Sequence, residues 1–352
     1  MYFASDNTGP THPNVMQAMI DANRGFASPY GDDDLMDQVR QKIRSVFEAP
    51  DAAVYLVATG TAGNSLALAT LAQPWQTAFC TPLAHIHMDE CNAPEFYTGG
   101  AKLSLVGEDD KMTADALRAS VESWVLGDVH VSQRGPVAIT QLTEMGRAYT
   151  CEELQALTGV ARTYDLPTFM DGARFSNALV SLGCTPAEMT WKAGIDVVTL
   201  GGTKNGCAGV EAVVFFDPTH AWEFELRRKR GAHLFSKHRY LSAQMLGYLN
   251  EDTWLGCARA ANDNCARLVA GLRNVSGMTL LCEPQGNMVF ATLPRRTHRA
   301  LQDAGAVYGL MGPLIGQDDD EPLKMRLVCD WSISHELIET FIAIAKDSTP
   351  TT

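Results

Sequence analysis

From residue 54 to about residue 218, short apolar strands alternate with helical patterns, and this alternation constrains the fold more than anything else in the chain. The strands read as 54–57, 78–80, 103–106, 137–140, 168–170, 197–200 and 210–216. Strands separated by helices predict a mostly parallel sheet with helices on both faces, so the chain is read as α/β with a seven-stranded sheet. The first 30 residues read as an N-terminal arm with a short helix at 14–23. A core-facing helix follows at 34–47, striped by Leu35, Val39, Ile43, Val46 and Phe47. Residues 31–245 are taken as the large domain and 246–352 as a smaller α+β domain, with strands near 279–281, 288–292 and 324–328. The stretch 309–320, with Gly312-Pro313, Gly316 and three aspartates, reads as an exposed loop.

Two of these strands end in side chains with chemical use. Asp171 closes one, in Pro167-Thr168-Phe169-Met170-Asp171-Gly172-Ala173-Arg174, and Lys204 follows the next, in Leu200-Gly201-Gly202-Thr203-Lys204-Asn205. Open α/β sheets bind ligands beyond the carboxyl ends of their strands, so both side chains would face one crevice. A carboxylate for a pyridinium nitrogen and an amine for an aldehyde are what pyridoxal phosphate (PLP) requires of a protein. Upstream, Thr59-Gly60-Thr61-Ala62-Gly63-Asn64 follows an apolar strand and opens a helical stretch. Its backbone N–H groups and the Thr61 hydroxyl at a positive helix end suit a phosphate. His85, in His85-Ile86-His87-Met88-Asp89-Glu90, can stack on a pyridine face.

In this order and spacing the chain resembles the L-threonine aldolase family of PLP-dependent fold-type I enzymes, allied to the β-eliminating lyases. The resemblance runs from Ser5 to about Glu339 and rests on Ser5-Asp6-Asn7-Thr8, Tyr30-Gly31-Asp32-Asp33, Gly60 to Asn64, His85 with Glu90, Asp171 to Arg174, Lys204, and Met325-Arg326-Leu327-Val328. It implies that Lys204 holds PLP, Asp171 pairs with the ring nitrogen, Gly60 and Thr61 bind the phosphate, and His85 stacks on the ring. It further implies that Arg174 and Arg326, with Ser5, hold the substrate carboxylate, a group that a planar guanidinium matches in two-pronged fashion. Tyr30 would lie near the substrate, and His130 falls where the family has a second active-site histidine. Arg239, in a basic run from Arg227 to Arg239, stands where relatives give a phosphate contact to a neighbouring subunit. The alternative for that run is a solvated basic helix face. The chain departs from the family at Gln141-Leu142-Thr143-Glu144-Met145 and at Gly202-Thr203-Lys204-Asn205.

The implied activity is retro-aldol cleavage of an L-β-hydroxy-α-amino acid (L-threonine, L-allo-threonine, L-phenylserine) to glycine and an aldehyde. The base would be His85, His130 or an ordered water. The rivals are a PLP-dependent β-eliminating lyase or aminotransferase, a PLP-binding protein without turnover, and a metal-dependent hydrolase using His85, His87 and Asp89, since imidazole and carboxylate suit zinc. A net charge of −13 argues against a nucleic-acid or anionic-membrane surface. The nine cysteines include no C-x-x-C pair, and there is neither a signal-like N-terminus nor a membrane-length apolar run. The expectation is therefore a reduced, cytoplasmic protein; the resemblance implies a homo-oligomer, dimer or tetramer, with active sites at the interface, and no resident metal is expected.

Overall fold

The computed structural model of the protein describes residues 1–348, so the last four residues of the 246–352 span lie outside the described residues. After α1 (Pro13–Ala22) and α2 (Asp34–Val46), the large domain runs β1 (Ala53–Val57), α3 (Gly60–Leu71), β2 (Gln76–Cys80), α4 (His85–Met88), α5 (Ala93–Thr98) and β3 (Lys102–Leu105). It continues with α6 (Ala114–Ser123), β4 (Gln133–Thr140), α7 (Cys151–Thr163), β5 (Thr168–Gly172), α8 (Phe175–Leu182), α9 (Pro186–Met189), β6 (Val197–Gly201) and β7 (Glu211–Phe215). Helices α10 (Ala221–Arg230), α11 (Arg239–Leu249) and α12 (Thr253–Leu272) lead to the smaller part. That part comprises β8 (Thr279–Leu280), β9 (Met288–Pro294), α13 (Arg295–Asp303), β10 (Gly309–Met311), β11 (Pro322–Val328) and α14 (His335–Asp347).

The seven-stranded sheet has the order β1-β7-β6-β5-β4-β2-β3. β7 is antiparallel to both β1 and β6, and the remaining pairs are parallel, so six strands run one way and one is reversed. One edge of the sheet therefore collects the carboxyl ends of six strands together with the start of β7. The central strands β5, β6 and β7 are buried along their whole length, which is why they read as mainly apolar runs rather than alternating ones. Helix α3 is buried from Ala62 to Thr70, and a Cβ on its Gly63 would lie 2.9 Å from the Thr199 side chain on β6. Glycine there lets the helix settle directly on the sheet.

The small domain packs β10-β11-β9-β8 as an antiparallel sheet over its own core of Leu268, Leu293, Met325, Leu327 and Phe341. The stretch read as a loop at 309–320 thus begins as an edge strand, in which Leu310 pairs with Met325. Three residues are too few for a periodic signal, and the glycines dominate the sequence reading. The N-terminal arm is likewise tied down: Tyr2 bridges to Val307, and Phe3 is buried in the small-domain core. Residue 245 falls inside α11, whose Leu241, Met245 and Tyr248 belong to the large core. Helix α12 joins the two parts, with Trp254 in the large core and Leu268 in the small one. No helix among the described residues is long and apolar enough to cross a membrane.

Candidate active site

The site begins with Asp171, the fourth residue of the fully buried β5. One of its oxygens accepts the Ala173 N–H at 3.0 Å, and the other accepts the Asn64 amide at 2.8 Å. Asn64 lies in the second turn of α3 and donates from the same nitrogen to Glu90 at 2.9 Å. Glu90 in turn meets the His85 Nδ1 at 2.8 Å. A chain of hydrogen bonds thus links Asp171, Asn64, Glu90 and His85, with both carboxylates buried and the imidazole part-exposed. The hydrogen bond to Glu90, the largest influence, raises the His85 pKa against the effect of burial. With Nδ1 engaged by a carboxylate, Nε2 is the ring nitrogen left for other contacts.

Lys204 leaves β6 in a tight turn held from below. Glu211, at the start of β7, accepts the Gly202 N–H at 2.7 Å, and Asn205 donates to Tyr248 at 2.7 Å and to the Trp254 carbonyl at 2.8 Å. A Cβ on Gly201 would lie 2.3 Å from the Ala173 carbonyl oxygen, so the Lys204 strand can press against the Asp171 strand only through glycine. Burial and the nearby Arg174 charge lower the Lys204 pKa, against the pull of Asp6, Asp171 and Glu211. The amine is therefore shifted toward its nucleophilic neutral form. Burial raises Glu211 itself to about 7.

The residues expected to face the substrate come from distant pieces of chain. Arg174, the N-cap of α8, makes a two-pronged pair with Asp6 at 2.7 and 3.0 Å, and Asn287 donates to the same Asp6 at 3.0 Å. Burial pushes the Asp6 carboxyl up, but Arg174, Lys204 and the hydrogen bonds from Arg174 and Asn287 leave it below its ordinary range. Arg326, on β11, donates to the Ala4 carbonyl at 3.1 Å, which places it beside Ser5. Gly60 and Thr61 form the first turn of α3, whose leading N–H groups lack intrahelical acceptors, and a Cβ on Gly60 would meet nothing within 4 Å. The lysine, the buried carboxylate, the open helix end and the part-exposed imidazole fit PLP.

Other residues fall elsewhere. His130 lies on an exposed turn just before β4, at the end of the sheet opposite Asp171, because a strand's entry and exit stand at opposite edges. His87 and Asp89 are exposed, and His87, two positions from His85 on a helical turn, faces away from it. The set of three potential metal donors that converges here is His85, Glu90 and Asp171, not His85, His87 and Asp89. Tyr30 is part-exposed with φ 62°, and its ring lies under Lys229. Arg239 is held by the Arg24 and Gly25 carbonyls at 3.3 and 3.1 Å. The basic run is not wholly a solvated face, since Arg228 is buried and donates to the Leu56 carbonyl. Asp6, Asn64, Glu144 and Glu211 carry no role in the sequence reading. The signal for the first two was their place inside motifs already singled out, and for Glu144 it was the departure from the family pattern.

Fold and donor set together define a PLP-dependent enzyme of fold type I. Residues 2–294 match the β-eliminating lyase family, and the chain belongs to it. It is 43% identical over 340 residues to a low specificity L-threonine aldolase of Pseudomonas aeruginosa, covering 96% of this chain and 94% of that one. A second such aldolase, from Pseudomonas sp., is 41% identical over 86% of this chain and 87% of its own. The solved structure of Leishmania major threonine aldolase shares the fold, with a TM-score of 0.88, 24% identity and coverage of 98% of both chains.

Proposed function

We infer that the protein is a PLP-dependent aldehyde-lyase that cleaves L-β-hydroxy-α-amino acids, among them L-threonine, L-allo-threonine and L-phenylserine, to glycine and an aldehyde. The observation that carries this reading is kinship with L-threonine aldolases along nearly the whole chain, joined to a lysine, aspartate and histidine at one sheet edge. When bound, PLP supplies an aldehyde for amines and a ring that withdraws electrons from a breaking Cα–Cβ bond. Lys204 would hold it covalently, and Asp171 would keep a proton on the ring nitrogen. His85, oriented by Glu90, would take the β-hydroxyl proton through Nε2, directly or by way of a water. Arg174 and Arg326, with Ser5, would grip the carboxylate, and Tyr30 would stand near the substrate. Gly60 and Thr61 would take the phosphate.

His130 and Arg239 belong to this proposal only through a second copy of the chain, His130 because its own Asp171 is at the opposite sheet edge. Phe26, which lines one cleft with Arg239, is exposed, as is Phe235, which supports a covering subunit and a homo-oligomeric, dimeric or tetrameric enzyme; its nine free cysteines support a cytoplasmic one. The deciding experiment incubates PLP-loaded protein with the three hydroxy amino acids. Glycine plus acetaldehyde or benzaldehyde is expected. Pyruvate and ammonia from serine or cysteine, with no aldehyde from any substrate, would assign a β-eliminating lyase instead. Amino transfer to a keto acid would assign an aminotransferase.

A further inference from the structure

Glu144 is a carboxylate at the site edge that the reaction as derived does not use. It follows β4 and turns toward α4, where its Oε1 accepts the backbone N–H of His85 at 2.8 Å. His85 is the first residue of α4, a four-residue helix whose N-cap, Ala84, has no side-chain acceptor. The leading N–H groups of a helix have no intrahelical acceptor, and a Ser, Thr, Asn or Asp at the cap ordinarily supplies one. Here the acceptor arrives from another strand. The second oxygen, Oε2, is buried with no hydrogen-bond partner among the described residues. His85 is thereby anchored twice, its ring by Glu90 and its backbone by Glu144.

We propose that Glu144 is a positioning residue: a remote cap that fixes α4 and so sets the His85 ring where the reaction needs it. What His85 does there rests on the aldolase reading; the cap itself does not. The carboxylate faces Asp171 on β5, His85 on α4 with Glu90 behind it, Cys80 at the end of β2, and Tyr149 just before α7. Burial, helped by Asp171, raises Glu144 to about 7, while burial holds Cys80 at about 12 and raises Tyr149 as well. A charged acceptor makes a hydrogen bond roughly twice as strong as a neutral one. The cap therefore tightens as pH rises through about 7 and slackens below it.

The test uses the full chain loaded with PLP. Glu144→Ala should lower kcat about ten-fold and leave KM within about two-fold, the effect of one lost cap felt at the base rather than at the carboxylate grip. Glu144→Gln keeps an acceptor that cannot ionise. It should recover most of that loss and remove from the kcat profile the component that Glu144 adds near pH 7, leaving the acid limb set by His85 alone. NMR of histidine-labelled protein should show a His85 amide resonance that moves through about pH 7 in the parent chain and loses that component in Glu144→Gln. If Glu144→Ala proves unstable, the Gln comparison still decides. A Gln variant whose kcat profile and His85 amide titration are both unchanged from the parent's overturns the proposal, as does an Ala variant whose His85 resonance matches the parent's. A protein that releases no aldehyde yet shows the amide titration keeps the cap and loses the aldolase reading.

Discussion

The proposed cofactor side and the proposed substrate side of this site are assembled by different means. On the cofactor side, Asp171, Lys204 and the Gly60 turn all stand at one edge of one sheet, Asp171 and Lys204 at the ends of the adjacent β5 and β6 and the turn after β1, with β7 between β1 and β6. On the substrate side, Arg174 begins α8, Asp6 comes from the arm, Asn287 precedes β9, and Arg326 sits on the second sheet. The first arrangement is set by the backbone ladder of a rigid layer. The second exists only once arm, large domain and small domain have docked, with the buried Arg174–Asp6 pair as the joint between them.

The contrast can be broken or sharpened by mutation. The largest effect is expected on the cofactor side: Lys204→Ala should lose the visible absorption of bound PLP and roughly 10⁴-fold or more of turnover, as for removal of a covalent catalyst. A coloured, active Lys204→Ala protein would remove the lysine from its role. Next is the joint. Asp6→Ala leaves Arg174 half-hidden without its partner, and loss of one member of a buried pair costs about 3–5 kcal/mol. Denaturant unfolding should register this as a lower midpoint, and an unchanged midpoint would mean that the arm is not part of the cooperative fold. The sign with pH follows from the lowered Asp6 pKa. Its stabilisation is complete above the unfolded value near 3.8 and fades as pH falls through the lower folded value.

Arg326→Ala should act on the substrate side alone, raising KM by about ten- to hundred-fold, the equivalent of roughly 1.5–3 kcal/mol for a charge-assisted hydrogen bond. The PLP spectrum should stay intact, and a KM that does not move takes Arg326 out of the grip. The smallest effect is a shift rather than a loss. Glu90→Gln removes the principal influence raising the His85 pKa, so the acid limb of the kcat profile should move to lower pH. A limb that stays in place would point to a base other than His85.

Much of this was legible beforehand because its signals are local. Apolar runs gave the seven strands within a few residues, since strands covered on both faces carry few polar interruptions. Strand ends gave Asp171 and Lys204, since a parallel sheet sends every such end to one edge. The register of Gly201 against Ala173 is different in kind: its glycine is visible, but the reason for it is a carbonyl 28 residues away in sequence and touching in space. His130 shows the same limit from the other direction. Its motif position suggested the site, while the length of β4 carries it to the far edge.

By itself, then, the sequence determined the layer architecture and singled out the lysine, the aspartate and the helix-opening turn now proposed to hold the cofactor, because periodicity and strand-end position are properties of contiguous residues. Only the tertiary structure decided that Asn64 joins Asp171 to Glu90, that Asp6 occupies Arg174, that the small domain and arm bring Arg326 beside Ser5, and that Glu144 caps the helix of His85. Each of those contacts spans dozens to hundreds of residues. Its energy comes from desolvation and pairing, which no local pattern encodes, and it forms only when the folded layers bring the two groups within hydrogen-bond reach.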